Sequence, residues 1–318
     1  NYTGTLDTSF VIYKADASGT FSITNQTYSP GGTFNLSVTD TNVANSDFDY
    51  IPSDPSAVTI DGTTATIHSA SSGLIITAVP KDTQNYQGTI DSNTFIIYKA
   101  NVSDNATFQI GTQTYLKNTT IDLNASITNS TVIGGFIYST TSSAIDISGS
   151  IATINSAATN VTITAAPVDT DNYTGTLSAT FTINPATITG SFNIPDQTYS
   201  LNGSFSLDGL ITNSNYNGSY TYTTIYPEII DISGTNVTIL GAAPDGITIT
   251  ATPTDTNYTG SLTSFPFVIY KLDASGNFVI PNKTYSPDPK VSFNLDELIT
   301  SSNVLTGGFF YTSSDSNI

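Results

Sequence analysis

The stretch "IATINSAATNVTITAAPVDTDNYTGTLSATFTIN", residues 151–184, carries the pattern that decides the fold. Apolar residues alternate with polar ones on both sides of the segment Asp-Asn-Tyr-Thr-Gly at residues 171–175, as expected for half-buried strands joined by a turn. Its phrase Asn-Tyr-x-Gly-[Thr/Ser]-[Leu/Ile] begins at Asn1, Asn85, Asn172 and Asn257, at spacings of 84, 87 and 85 residues. A period of this length matches a small domain, so the sequence predicts a tandem array.

The repeat at residues 185–271 consists of short alternating segments separated by turn residues. Phe205, Leu207 and Leu210 are predicted to face a core, and Gly234 to lie in a hairpin turn. No helical period competes with this pattern. About seven strands, with turns every 8 to 12 residues or so, indicate an antiparallel sandwich.

The position of the repeated phrase has two interpretations. Residues 169–175 have the spacing of a tyrosine corner, which would place Tyr173 at the start of the next-to-last strand. We favour a turn between the last two strands, because a strand-like segment runs directly into the phrase and one further strand follows. The predicted domains are then residues 15–99, 100–184 and 185–271, with residues 1–14 as the last strand of a preceding domain and residues 272–318 as the first half of a further one.

The run xATIxxA, ITITAxPxDTxNYxG and a final FxIYK or FTIN strand resembles the tandem bacterial Ig-like (Big/MBG-type) domains of microbial surface proteins. The resemblance covers essentially the whole chain. It implies an all-β fold, tandem antiparallel Ig-like β-sandwich domains in a linear array. For function it implies an extracellular, cell-surface structural repeat region, the shaft of a filament, S-layer-type lattice or adhesin.

Because Ig-like sandwiches serve many roles, two alternatives stay open. One is a carbohydrate- or protein-binding adhesive module, for which the tyrosine-rich "NSNYNGSYTYTTIYP" at residues 213–227 is the one hint. The other is a virion surface fibre, which would use the same physics.

The composition disfavours several classes of function. The chain has no cysteine, methionine or tryptophan, and 7 basic residues against 25 acidic ones give a net charge of −18. Disulfides and cysteine-ligated zinc are therefore excluded, and nucleic acid is not an expected partner. No apolar run approaches the roughly 18 residues of a membrane span, so no membrane contact is expected within this segment. The expected partners are neighbouring copies or other surface proteins, with glycans as a further candidate.

The two ends also have alternative interpretations. Residues 1–14 of one copy would partly complete residues 272–318 of another by donor-strand exchange. Together, however, these segments are about two strands short of a complete repeat. We favour ends that lie within a longer array, and the absence of methionine agrees with a chain cut from a longer product.

No enzymatic activity is predicted. His68 is the only histidine, so any Ser-His-Asp scheme would have to use it. Asn155 and Leu240 stand at the equivalent positions of the other repeats, which predicts a solvent-facing strand residue. No pair of carboxylates stands out for acid–base work, and neither catalytic nor cofactor-binding residues are predicted.

Calcium is the one candidate cofactor. Asp82, Asp169, Asp171 and Asp255 precede successive Asn-Tyr phrases, and Asp16 lies near the start of its domain. Carboxylates and carbonyls from adjoining domains would supply the six to eight oxygen ligands that calcium takes. The competing interpretation, which we favour, is that these aspartates form side-chain-to-backbone turns.

Three further features recur along the chain. Lys14, Lys99 and Lys271 end the predicted last strands, where an exposed charge would discourage edge pairing. A tyrosine follows each early Gln-Thr or Lys-Thr pair, and we favour a core role for it, with its hydroxyl reaching a loop carbonyl, over glycan stacking. These tyrosines are Tyr28, Tyr115, Tyr199 and Tyr285. Asn-x-Ser/Thr sequons are frequent, and the glycosylation candidates are Asn25, Asn118, Asn160, Asn202, Asn217 and Asn282.

Overall fold

The computed structural model describes residues 1–284, 292–304 and 308–315. Within those ranges the secondary structure is β-strand, with no α-helix and with three short 3₁₀ helices at Ala44–Ser46, Val102–Asp104 and Asp296–Leu298. No helix among the described residues is long and apolar enough to cross a membrane. The chain divides into two compact units, Asn1–Ala186 and Thr187–Ile318.

The strands are short because turn residues interrupt the alternating pattern every few positions. In residues 15–99 they are β1 Ala15–Asp16, β2 Thr20–Phe21, β3 Gln26–Thr27, β4 Thr33–Asn35, β5 Val38–Thr39, β6 Phe48–Pro52, β7 Val58–Asp61, β8 Thr64–Ile67, β9 Ser71–Leu74, β10 Ile76–Pro80, β11 Tyr86–Gln87, β12 Ile90–Asp91 and β13 Phe95–Tyr98. In residues 100–184 they are β14 Ala100–Asn101, β15 Thr107–Phe108, β16 Gln113–Thr114, β17 Thr120–Asp122, β18 Ile127–Thr128, β19 Phe136–Thr140, β20 Ile145–Ser148, β21 Ile151–Ile154, β22 Ala158–Pro167, β23 Tyr173–Thr174 and β24 Leu177–Asn184.

The strands that follow repeat the same order. They are β25 Ala186–Thr187, β26 Ser191–Phe192, β27 Gln197–Thr198, β28 Ser204–Ser206, β29 Ile211–Thr212, β30 Tyr220–Thr223, β31 Ile230–Ser233, β32 Asn236–Ile239, β33 Ala243–Ile247, β34 Thr250–Pro253, β35 Tyr258–Thr259, β36 Leu262–Thr263, β37 Phe267–Tyr270, β38 Asn277–Phe278 and β39 Ile299–Thr300.

Residues 100–184 form a two-sheet sandwich. One sheet has the order β16-β24-β22-β19 and the other the order β17-β21-β20. All neighbouring pairs in these sheets are antiparallel except β16 with β24, which is parallel. In β24 the residues Leu177, Ala179, Phe181 and Ile183 are buried, and polar residues alternate with them. Period-two burial of this kind is what the sequence pattern predicts for a strand with one face on the core.

The other two complete repeats have the same topology with the long strands broken. In residues 15–99, β9 with β10 and β12 with β13 take the places of β22 and β24, opposite the sheet β4-β8-β7. In the second unit the sheets are β27-β37-β33, β30-β34-β36 and β28-β32-β31. The prediction of tandem antiparallel Ig-like β-sandwiches is confirmed.

The core of the second unit lies between its sheets. Leu207, Val237, Ile249 and Phe267 are fully buried there. Phe205 and Leu210 pack against this cluster while partly exposed, so all three predicted core residues contribute to it. Burial of each large apolar side chain stabilises the fold by about 1.5–3 kcal/mol.

Turn chemistry also follows the sequence. Gly234, with φ +61°, closes the hairpin between β31 and β32, as predicted. Tyr173 lies between β22 and β24, the last two long strands of its domain. The repeated phrase is therefore the turn between these strands, and the tyrosine-corner interpretation is wrong.

The segments outside the three complete repeats have less secondary structure. The structure describes all of residues 1–14 and assigns no strand there, and Phe10 and Ile12 are more than 80% exposed. Their counterparts in β13, Phe95 and Ile97, are 1% exposed. Beyond residue 271, β38 pairs with β39 beside an open cavity of about 1040 Å³. The partial domains and both interpretations of the ends stay predictions.

Candidate functional site at the joint between two repeats

The aspartate of the repeated loop caps its own turn. Asp169 Oδ1 accepts hydrogen bonds from the backbone N–H groups of Asp171 and Asn172, both at 3.1 Å, and Oδ2 accepts from Asn172 Nδ2 at 2.8 Å. In the first repeat Asp82 and Asn85 form the same pair, also at 2.8 Å. The asparagine side chain is the main reason why the pKa of each aspartate is below its usual value.

The tyrosine anchors the loop to a neighbouring loop. Tyr173 is 3% exposed, and its hydroxyl donates to the carbonyl oxygen of Thr131 at 3.0 Å and accepts from the N–H of Ile133 at 3.2 Å. Tyr86 repeats the contact by donating to the carbonyl oxygen of Asn42 at 3.0 Å. A tyrosine is required here because its phenol provides both apolar area and a hydrogen-bonding group.

The glycine of the phrase has two reasons to be there. Gly88, Gly175 and Gly260 have φ values of +81°, +82° and +86°, which disfavour any residue with a Cβ. At Gly175 a Cβ would also overlap the side-chain oxygen of Asn101. Each residue of the Asp-Asn-Tyr-Gly phrase therefore has a structural task, which explains its recurrence.

A lysine ties the loop to the residues that precede its domain. Lys99 Nζ donates to the carbonyl oxygen of Thr170 at 2.7 Å, and Lys14 Nζ to that of Thr83 at 2.6 Å. Both lysines are exposed, as predicted, and sequence reasoning did not find their carbonyl partners. The signal for them was the recurrence of lysine immediately before residues 15, 100 and 272, whereas Asn184 precedes the repeat at residues 185–271. That the charge discourages edge pairing stays a prediction.

Two further contacts join residues 15–99 to residues 100–184. Asn172 Oδ1 accepts from the N–H of Ala70 at 2.8 Å, so this asparagine caps its own turn and also binds the preceding domain. The ring of Tyr28 lies edge-on to that of Tyr173, with centroids 5.3 Å apart. Burial is the main reason why the pKa of Tyr28 is raised, and Tyr173 and Asp169 add to the shift.

The other recurrent tyrosines differ in burial. Tyr28 and Tyr115 are 7% and 6% exposed, in agreement with a core role, whereas Tyr199 is half-buried. Tyr285 lies outside the described residues. The ring of Tyr28 contacts that of Tyr173, and a loop carbonyl as the partner of its hydroxyl stays a prediction.

Four of the five aspartates considered as calcium ligands accept hydrogen bonds from other residues of the chain. Asp16 accepts from Gln87 Nε2 at 2.7 Å, and Asp255 accepts from the N–H of Asn257 at 2.9 Å. Asp82 and Asp169 cap turns as described above, and the side chain of Asp171 is exposed. No group of three or more acidic, histidine or cysteine side chains is gathered in the part of the chain that the structure describes. Calcium binding stays a prediction.

The remaining predicted positions lie on the surface. His68 is exposed, as predicted, with Nε2 2.6 Å from Thr59 Oγ1. The glycosylation candidates Asn25, Asn118, Asn160, Asn202, Asn217 and Asn282 are all exposed. Of these, Asn25 uses its Nδ2 to donate to the hydroxyl of Tyr98 at 3.1 Å, which engages the nitrogen that a glycan would need. Glycosylation stays a prediction.

The chain was compared with protein families, curated proteins and solved structures. No protein-family model matches the chain, and no curated protein matches it. Among solved structures, the I9–I11 tandem from titin is 12% identical with a TM-score of 0.26, over 80% of this chain and 99% of that one. Mouse cadherin-23 EC22–24 is 12% identical with a TM-score of 0.22, over 83% and 97%. Domains 1–6 of the surface layer protein SbsC are 17% identical with a TM-score of 0.22, over 81% and 42%. The fold assignment rests on the strand pairing of the chain itself.

Proposed function

We propose that this chain is a structural repeat region of a cell-surface or extracellular protein and forms the shaft of a filament, lattice or adhesin. The observation that carries the proposal is the joint in the first unit. There one loop caps its own turn and also holds the preceding domain through Lys99, Asn172 and Tyr173. In repeat proteins, contacts between neighbours set the stiffness of the whole array.

The connection between the two domains supports the same proposal. Strand β13 ends at Tyr98 and β14 begins at Ala100, so Lys99 alone separates them. Linkers that allow free domain motion are longer and rich in glycine, serine or proline. A one-residue linker whose own side chain is hydrogen-bonded restricts bending between the two domains, as a stiff shaft requires.

The charge bears on how such shafts would associate. The net charge of −18 makes parallel copies repel each other at low ionic strength, and salt screens this repulsion within roughly 10 Å at 0.1 M. The partners we propose are neighbouring copies or other surface proteins, with association that strengthens as salt is added. We propose no catalytic role.

Labelling of the source cells tests this function. Antibodies against residues 1–318 would be applied to intact and to permeabilised cells and located by immunogold electron microscopy. We expect equal label on both, along fibres, a lattice or isolated stalks outside the cell. Label that requires permeabilisation would overturn the proposal, and label on released virions would favour the virion-fibre alternative.

A further inference from the structure

One loop of the third repeat carries two tyrosines that its counterpart in the second repeat lacks. Tyr216 and Tyr220 in residues 213–227 stand where residues 100–184 have Val132 and Phe136. The smaller or less polar residues already suffice for the fold in the second repeat. The hydroxyls of both tyrosines form hydrogen bonds within the loop, that of Tyr216 to Ser219 and that of Tyr220 with Ser214 at 2.9 Å, and so fix its conformation beside the strand.

Tyr216 is built into the framework of this loop. It is 8% exposed, its ring centroid lies 4.7 Å from that of Tyr258, and its hydroxyl donates to the carbonyl oxygen of Ser219 at 3.0 Å. A Cβ at Gly218 would overlap the Tyr216 ring, so the glycine permits the ring to lie there. Tyr220 packs perpendicular to Tyr216 at 5.2 Å. The loop thus holds Tyr220 in a fixed orientation.

A cavity of about 340 Å³ opens beside this loop and is lined by Asp208, Asn217, Tyr220 and Tyr222 among others. This volume falls at the lower end of the roughly 300–1,000 Å³ that small-molecule sites occupy. Tyr220 and Tyr222 project from the same face of β30, with ring centroids 6.2 Å apart and planes inclined by 39°. Both rings line the cavity and also pack against the buried core cluster, and Phe136 and Tyr138 form a similar pair in the second repeat.

In the second repeat the equivalent position is closed by a hydrogen bond. There the Tyr138 hydroxyl donates to Asn124 Oδ1 at 2.6 Å. Asp208 and Tyr222 occupy those two positions in the third repeat, and among the described residues no hydrogen bond joins them. Asp208 instead uses Oδ2 to accept from Ser206 at 3.1 Å and from Thr235 at 3.4 Å. Its Oδ1 and the Tyr222 hydroxyl remain available to a ligand.

We propose that this cavity binds a neutral sugar ring. The electron-rich faces of Tyr220 and Tyr222 attract the C–H edges of a sugar, and the Asp208 carboxylate accepts from its hydroxyls. The hydroxyl of Tyr222 donates to a sugar oxygen. Asp208 and the net charge of −18 disfavour anionic ligands. A quaternary ammonium would also be attracted to the tyrosine rings and to Asp208, and the comparison with choline below separates the two kinds of ligand.

Saturation-transfer NMR on the full chain tests this site, independently of any role as a shaft. The probes are the methyl glycosides of glucose, galactose, mannose and N-acetylglucosamine, with choline as the cationic comparison. We expect at least one sugar to bind with a Kd of about 1 mM, as suits a small ligand in an open site. Absence of transfer to every sugar at about ten times that concentration, or transfer to choline alone, overturns the proposal.

Three variants locate the binding. Asp208→Asn places the residue of the second repeat in the cavity and allows the closing bond to Tyr222, so it is expected to weaken sugar binding at least tenfold. Asn124→Asp makes the reverse change in the closed position of the second repeat and is expected to leave binding unchanged. Tyr222→Phe, which removes one donor, gives a second loss if Asp208→Asn proves poorly folded. Wild-type affinity in both third-repeat variants would refute the site.

Discussion

We predict that Asn172→Ala weakens the contact between residues 15–99 and residues 100–184. In the wild-type chain the Asn172 side chain makes two bonds, one to Asp169 within its loop and one from the N–H of Ala70 in the preceding domain, each 2.8 Å long. Asn85→Ala is the matched control. It removes the equivalent bond to Asp82 within the first repeat and touches nothing at Ala70.

The magnitude follows from the burial of the two groups. Ala70 and Asn172 are both half-buried, so the freed N–H gains partial access to water. A hydrogen bond in that setting contributes about 0.5–1.5 kcal/mol net. The Ala70 amide should therefore exchange its hydrogen about 2- to 13-fold faster in Asn172→Ala, since opening it no longer breaks the bond.

Residue-resolved amide hydrogen exchange by NMR on the full chain measures this directly. The Ala70 amide should be accelerated in Asn172→Ala and unchanged in Asn85→Ala, while the turn amides of each mutated loop are accelerated in their own variant. If Ala70 exchanges at the wild-type rate in Asn172→Ala, the asparagine does not hold the joint, and the reasoning from this contact is refuted.

Three other predictions concern the same loop. Tyr173→Phe removes the hydroxyl that pairs with two backbone groups at a partly buried site and should cost about 0.5–1.5 kcal/mol. The cost should exceed that of Tyr86→Phe, whose hydrogen bond is exposed, and equal urea midpoints for the two variants would contradict this. Gly175→Ala should lower the free energy of unfolding by about 1–3 kcal/mol more than Gly149→Ala. Both glycines have positive φ, but only at Gly175 would the new Cβ overlap a side chain. Equal melting temperatures for the two variants would contradict this overlap. The lowered pKa of Asp169 means that its stabilising contribution is complete above the ordinary aspartate pKa of about 4 and is lost as pH falls through the lowered value. Exchange at the turn amides should accelerate on acidification over that range, and a constant rate after correction for intrinsic exchange would oppose this assignment.

Much of the fold could be predicted because it depends on local alternation. The pattern around residues 151–184 specifies which face of each strand is buried, and the turn between β22 and β24 lies where strand-like residues stop. The repetition of that pattern supplied the domain period. These features need no knowledge of distant contacts.

The joint could not be predicted in the same way. The bond between Asn172 and Ala70 joins residues 102 positions apart, and it depends on how two finished sandwiches meet. The recurrence of Lys14 and Lys99 was visible in the sequence, but their carbonyl partners were not. In the third repeat the sequence shows the tyrosine-rich loop but not the cavity beside it. The cavity is open because Tyr222 and Asp208 do not form the hydrogen bond that joins Tyr138 and Asn124 in the second repeat.

The parallel pairing of β16 with β24 has a mechanical consequence. These strands lie near the start and at the end of the same repeat, with Gln113 beside Ile183 and Thr114 beside Asn184. A force that pulls the two ends of the repeat apart drags the paired strands past each other along their length. Their hydrogen bonds are then loaded together in shear, whereas an antiparallel terminal pair would unzip one bond at a time. The same pairing of β3 with β13 and of β27 with β37 gives each complete repeat this resistance to tension.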